Sequence, residues 1–123
     1  MEFVQTNSAP QAIGPYSQAV KVNGMVYTSG QIALTPEGEM LGNDVVIQTK
    51  QVVKNLAAVL EAAGSSMQQV VKTTIFLDSM DDFATVNEIY AEAFGDHKPV
   101  RSTVAVKTLP KNALVEIDAI ALI

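Results

Sequence analysis

The sequence predicts an α+β domain, a single mixed sheet with two helices on one face, in the order β-β-α-β-α-β-β. Three observations carry that prediction. Two stretches place apolar residues at spacings of three and four, the helical period. Five short runs are rich in β-branched and aliphatic residues, as strands are. Finally, the two patterns interleave without any repeat, low-complexity tract or linker, so all of them belong to one domain spanning residues 1–123.

The first two strands, Gln18 to Val22 and Met25 to Leu34, flank Asn23-Gly24, a dipeptide that tolerates the positive φ of a two-residue hairpin turn. Thr35-Pro36-Glu37-Gly38 is turn chemistry, and Asn43 or Asp44 offers a side-chain oxygen to cap a helix. In that helix Val45, Thr49, Val52, Leu56, Val59, Leu60 and Ala63 form one stripe, and Gly64 is the left-handed stop. VVKTTIFL, from Val70 to Leu77, is a third strand. Ser79 or Asp81 caps the second helix, whose apolar face is Phe83, Val86, Ile89, Tyr90, Ala93 and Phe94 and whose end is Gly95. Arg101 to Thr108 and Ala113 to Ile123 are the last strands, joined by Leu109-Pro110-Lys111-Asn112. Apolar residues of both parities in these strands imply that both sheet faces are partly covered. Two helices cover only one face, which points to a homo-oligomer.

Composition narrows the chemistry. The chain has 123 residues, 8 Lys+Arg against 13 Asp+Glu, a net charge of −5, 48% hydrophobic and 6% aromatic residues, and neither Cys nor Trp. A chain of this length buries roughly two-thirds of its unfolded surface without needing disulfides. The absence of Cys excludes thiol nucleophiles, disulfides, iron–sulfur clusters and thiolate zinc sites. With His97 as its one histidine, the chain has no multi-histidine metal site. Its basic residues are scattered, which weighs against a phosphate-tracking surface for nucleic acid. Met1 to Pro10 lacks the basic and apolar regions of a signal peptide, and no run reaches the roughly 18 apolar residues of a membrane span, so a cytoplasmic protein is expected.

Several residues are candidates for a site. Arg101, the chain's only Arg, follows Pro99 at the start of a strand, and its planar fork suits a carboxylate. It serves either a ligand or a surface ion pair. Glu116 interrupts the apolar strand LVEIDAIALI, with Asp118 on its face, and needs solvent or a partner there. If the Pro110 turn joins neighbouring antiparallel strands, Arg101 and Thr103 fall opposite Glu116 and Asp118. Gly30, after Ser29 inside a strand, marks either a close ligand approach or a bulge. Ile13-Gly14-Pro15-Tyr16 is a stiff turn that presents a tyrosine ring beside the first strand, and Asn87 is a polar residue on an apolar helix face.

These segments resemble the reactive intermediate deaminase family, the RidA or YjgF proteins, along essentially the whole chain. The resemblance is carried by AP-x2-IGPYSQAV from Ala9 to Val20, YTSGQI from Tyr27 to Ile32, LEAAG from Leu60 to Gly64, VVKTTIFL from Val70 to Leu77, DFATVNEIYAEAF from Asp82 to Phe94, PVRS from Pro99 to Ser102, and LPKNALVEIDAIA from Leu109 to Ala121. It implies a chorismate-mutase-like fold assembled as a homotrimer with ligand clefts between subunits. The implied activity is hydrolysis of 2-imino acids such as 2-iminobutanoate and 2-iminopropanoate, or their enamine tautomers, to 2-oxo acids and ammonia, with no cofactor and no metal. The imines come from pyridoxal-phosphate-dependent serine and threonine dehydratases. By position, Arg101 binds the substrate carboxylate, while Glu116, with the Gly30 carbonyl, attends the water and the imine nitrogen. Tyr16, Ser29, Gly30, Asn87 and Thr103 line the cleft. Thr103 stands where many members have Cys, and the Phe94 to Pro99 connection is short.

Imine hydrolysis asks for modest acceleration, which a fixed carboxylate, one held water and a proton relay can supply. Two other classes fit the same residues. One is a protein that binds a small carboxylate without turnover, which needs Arg101 but not Glu116. The other is a ribonuclease or translation inhibitor, which the acidic charge disfavours.

Overall fold

A computed structural model describes all residues, 1–123. Its elements are β1 (Glu2–Val4), β2 (Ala19–Val22), β3 (Met25–Thr28), α1 (Val45–Ala62), β4 (Val70–Leu77), α2 (Phe83–Phe94), β5 (Val100–Ala105) and β6 (Val115–Leu122). Six strands form one sheet in the order β1-β2-β3-β6-β4-β5, antiparallel throughout except that β5 runs parallel to β4. The expected α+β class with one mixed sheet stands, with one added strand. β1 is only three residues long and buries a single side chain, Val4, so it carries almost no periodicity to read.

Local chemistry accounts for the elements. Asn23 and Gly24 both take positive φ, 50° and 74°, and close the β2–β3 hairpin in the register Val22↔Met25. Asp44 caps α1 by accepting from the backbone N–H of Val46 at 2.8 Å and of Ile47 at 3.2 Å. The helix buries Thr49, Val52, Leu56, Val59 and Leu60 against the sheet, and Gly64 leaves it at φ 84°. On the central strand β6, Val115, Ile117, Ala119 and Ala121 are buried under the helices, while Glu116 and Asp118 point to the other face and are half-buried.

Two expectations change. β3 ends at Thr28 instead of reaching Leu34; the chain leaves the ladder at Ser29-Gly30 and returns for one residue, where Gln31 exchanges both backbone hydrogen bonds with Ile117. The second change concerns the last two strands. α2 carries the chain back over the sheet, so β5 enters parallel to β4 and takes the outer edge. β6 then pairs on the opposite side of β4. The Pro110 turn therefore joins strands that have β4 between them, and the expected pairing of Arg101 and Thr103 with Glu116 and Asp118 does not occur.

Candidate functional site

The register divides the candidate residues between the two faces of the sheet. Arg101 lies beside Thr73 and Glu116 beside Phe76 on β4. Residues of opposite parity on one strand point to opposite faces. Arg101 thus rises on the helix side and Glu116 on the open side, two strands away. Within one chain they do not meet, and they form two separate half-sites.

The first half-site is a cavity of about 390 Å³ lined by Tyr16, Ser29, Gly30 and Glu116, together with Ile32 and Lys111. Glu116 lies directly against Gly30: a Cβ on residue 30 would sit 2.5 Å from Glu116 Oε2. Gly30 has no positive φ, so it is required for space and not for backbone freedom. Burial lifts the Glu116 carboxyl above its ordinary value, and the nearby Asp118 charge adds to the effect. Asp118 is itself lifted by burial, against hydrogen bonds from Thr74 and the charge of Lys72. Around this carboxylate the walls are tied down. The Ser29 backbone N–H donates to the Gln18 carbonyl at 2.9 Å, and its hydroxyl donates to the Ser17 carbonyl at 2.5 Å. The Tyr16 hydroxyl accepts from the Ile13 N–H at 3.3 Å, leaving the phenol half in solvent.

The buried side chain of Gln18 accepts from the Thr6 N–H at 2.7 Å and donates to the Pro10 carbonyl at 2.8 Å. These bonds fasten residues 6–10 and so fix Pro10, which lines the cavity. Lys111 reaches the same cavity from a left-handed backbone, φ 55°, followed by Asn112 at the same φ. Neither residue is singled out by the sequence. Gln18 sits in a motif with no charge or periodicity to mark it, and a left-handed Lys is not a turn signal of its own.

The second half-site is built on β5 and α2. Arg101 donates from Nη1 to Asn87 Oδ1 at 2.6 Å, and its guanidinium carbon lies 4.9 Å from the Tyr90 ring centroid and 5.7 Å from that of Phe83. Rings on one side and an amide on the other hold an otherwise exposed cation in one orientation. Tyr90 is in turn fixed by a 2.7 Å hydrogen bond shared with Thr73, and burial raises its phenol above the ordinary value. Sequence periodicity gives Tyr90 and Phe83 only as core. His97, expected in a loop, lies in the 95–99 connection with its Nε2 2.6 Å from the Val70 carbonyl, and it lines a cavity of about 330 Å³ with Asn87 and Arg101. Thr103 follows on β5 with its hydroxyl buried and unpartnered. No three His, Asp or Glu side chains converge as a metal site.

Two expected results follow from these contacts. Gly30→Ala should displace Glu116, because the new methyl needs the space its carboxylate holds; a crystal structure of the variant should show the carboxylate moved while circular dichroism stays native. Thr103→Val removes an unsatisfied hydroxyl at constant shape. It should raise stability by up to about 1 kcal/mol, read as an upward shift in Tm.

The sequence model described as Endoribonuclease L-PSP matches residues 6–123. The mouse 2-iminobutanoate/2-iminopropanoate deaminase is 48% identical over 121 residues, covering 98% of this chain and 90% of that protein. Reactive Intermediate Deaminase A, chloroplastic, of Arabidopsis thaliana is 50% identical over 121 residues, covering 98% of this chain and 65% of that one. The crystal structure of E. coli TdcF with bound serine superposes with a TM-score of 0.95 at 42% identity, covering 100% of this chain and 99% of that one. Other relatives near 50% identity carry the name RutC family protein, which states no reaction.

Proposed function

The chain belongs to the reactive intermediate deaminase family, the RidA/YjgF proteins matched by the Endoribonuclease L-PSP description, and on that premise we propose that it hydrolyses 2-imino acids and their enamine tautomers to 2-oxo acids and ammonia. The observation that carries the reading is the Glu116–Gly30 contact, where a half-buried carboxylate with a raised pKa stands in a cavity of substrate size. Such a group exchanges protons nearer neutrality than a solvated one.

Arg101, held by Asn87, Phe83 and Tyr90, takes the substrate carboxylate in a forked contact. Water held by Glu116 and the Gly30 carbonyl adds to C2, and its proton passes to the carboxylate. The resulting carbinolamine receives that proton on nitrogen. The C–N bond then breaks as the C2 hydroxyl proton passes, by way of Glu116, to the departing nitrogen, leaving ammonia and the C2 carbonyl. Tyr16, Ser29 and Thr103 complete the cleft. No cofactor takes part, and the substrates are products of pyridoxal-phosphate-dependent serine or threonine dehydratases, 2-iminobutanoate and 2-iminopropanoate among them.

Because Arg101 and Glu116 stand on opposite faces, the working site takes one half from each of two subunits of a homotrimer. The compartment assigned in this reading is the cytoplasm; no helix is long and apolar enough to cross a membrane. The bound serine in TdcF favours one further reading, a protein that holds a small amino or oxo acid without turnover.

The test couples a threonine dehydratase to semicarbazide, which traps free imine. Addition of this protein should lower the trapped fraction and raise 2-oxobutanoate. An unchanged trapped fraction with several imino acids would leave the binding reading in its place.

A further inference from the structure

Asn55 lies in the middle of α1, outside both cavities, and is fully buried. A buried amide in an apolar helix face must have its donors and acceptor satisfied. Its Nδ2 donates to the carbonyls of Ile32 at 3.1 Å and Leu34 at 2.8 Å, and its Oδ1 accepts from Gln51 Nε2 at 2.8 Å. The two carbonyls belong to the segment that has left the main sheet, where backbone pairing is reduced to an isolated Leu34–Met40 bridge and a local bond from the Leu34 N–H to the Ile32 carbonyl. Gln31 pairs with Ile117, next to Glu116, and Ile32 and Leu34 line the cavity while packing against Leu109 and Ala113. Gly30 is thus anchored on one side by Ser29, through Gln18, and on the other by a segment clamped from behind by Asn55.

We infer that Asn55 is a positioning residue for the Glu116 half-site: it holds residues 31–34 so that the backbone of Gly30 stays against the Glu116 carboxylate and the Ile32–Leu34 wall keeps its shape. Gln51 orients the Asn55 amide so that its donors face the two carbonyls. This inference rests on the imine-hydrolysis reading for its kinetic consequence but not for its structural content. None of the hydrogen-bond partners of Asn55 belongs to the Arg101 half-site, so carboxylate capture and proton transfer separate in the kinetics.

The experiment compares Asn55→Leu, close in volume and without donors, with the wild type. For folded protein, kcat should fall about tenfold or more, KM should stay within about twofold, and the acid limb of the kcat profile should move. A folded Asn55→Leu protein with kcat within about twofold of wild type overturns the inference. Should Asn55→Leu fail to fold, Gln51→Ala, a change at a half-exposed position, decides: kcat lowered about two- to fivefold at unchanged Tm supports it, and unchanged kcat overturns it. Amide hydrogen exchange at Gln31 and Leu34, whose N–H groups donate to the Ile117 and Ile32 carbonyls, needs no substrate. If the wild type hydrolyses no imine, the functional reading fails by itself, and faster exchange at those two amides in the Gln51→Ala protein still supports the clamp while unchanged exchange overturns it.

Discussion

Arg101→Ala and Glu116→Gln proteins, each inactive alone, are expected to regain activity when unfolded together and refolded as a mixture. Arg101→Ala removes a forked, charge-assisted contact with the substrate carboxylate, and kcat/KM should drop about 100- to 1,000-fold, each tenfold corresponding to about 1.4 kcal/mol. Glu116→Gln removes the proton acceptor and should depress kcat by a similar factor. In an equal mixture the half-sites combine at random, so about one site in four pairs an intact Arg101 with an intact Glu116. Recovery of roughly that share of wild-type activity is the expected result. The reason lies in the register: the two residues rise from opposite faces of the sheet with β4 between their strands. Were both supplied by one chain, no mixture could restore turnover, and absence of recovery in properly assembled mixed protein would remove the shared cleft.

The second large effect concerns pH, and it has opposite signs for activity and stability. Burial and Asp118 raise the Glu116 pKa in the folded protein above its ordinary 4.5. The folded state therefore binds this proton more tightly than the unfolded chain does. The stability contributed by the proton is fully present below the ordinary carboxylate range and is lost as pH rises through the folded pKa. Activity behaves the other way, because the acceptor must be ionised, so kcat should rise through that same folded pKa. Glu116→Gln mimics the protonated form. It should melt higher than wild type at pH 7 while losing activity, and the difference in Tm should close on acidification. Melting curves between pH 4 and 8 check this directly, and a variant melting lower at pH 7 would contradict the assigned desolvation.

Much of this architecture is legible in the residues. Asn23-Gly24 is the hairpin turn with both φ values positive, Asp44 is the cap and Gly64 the stop of α1, and the β-branched run from Val70 is β4. Local chemistry decides each of these, so a local reading reaches them. The sheet order is not local. Leu109-Pro110-Lys111-Asn112 looks like a link between neighbours, yet the return path of α2 has already placed β5 on the outer edge of β4. Arg101 stands out as the chain's only arginine, and Glu116 as a carboxylate interrupting an apolar strand. Their separation to opposite faces depends on which strand lies between them, and nothing at positions 101 or 116 encodes that. Gln18 and Asn55 escape for another reason: each is a neutral amide whose importance lies in backbone carbonyls remote in sequence.

The position of β6 bears on how the chain is made. Its partners, β3 and β4, belong to the hairpin at one end and the β4–α2–β5 unit at the other, and no other strand joins those halves. β6 is also the last of the six strands to leave the ribosome. Until it emerges, both halves present open inner edges of the kind that template aggregation. The sheet closes in one late, long-range event, so the two halves wait unjoined until residues 115–122 arrive, and chaperone contact should be longest on nascent chains that still lack them.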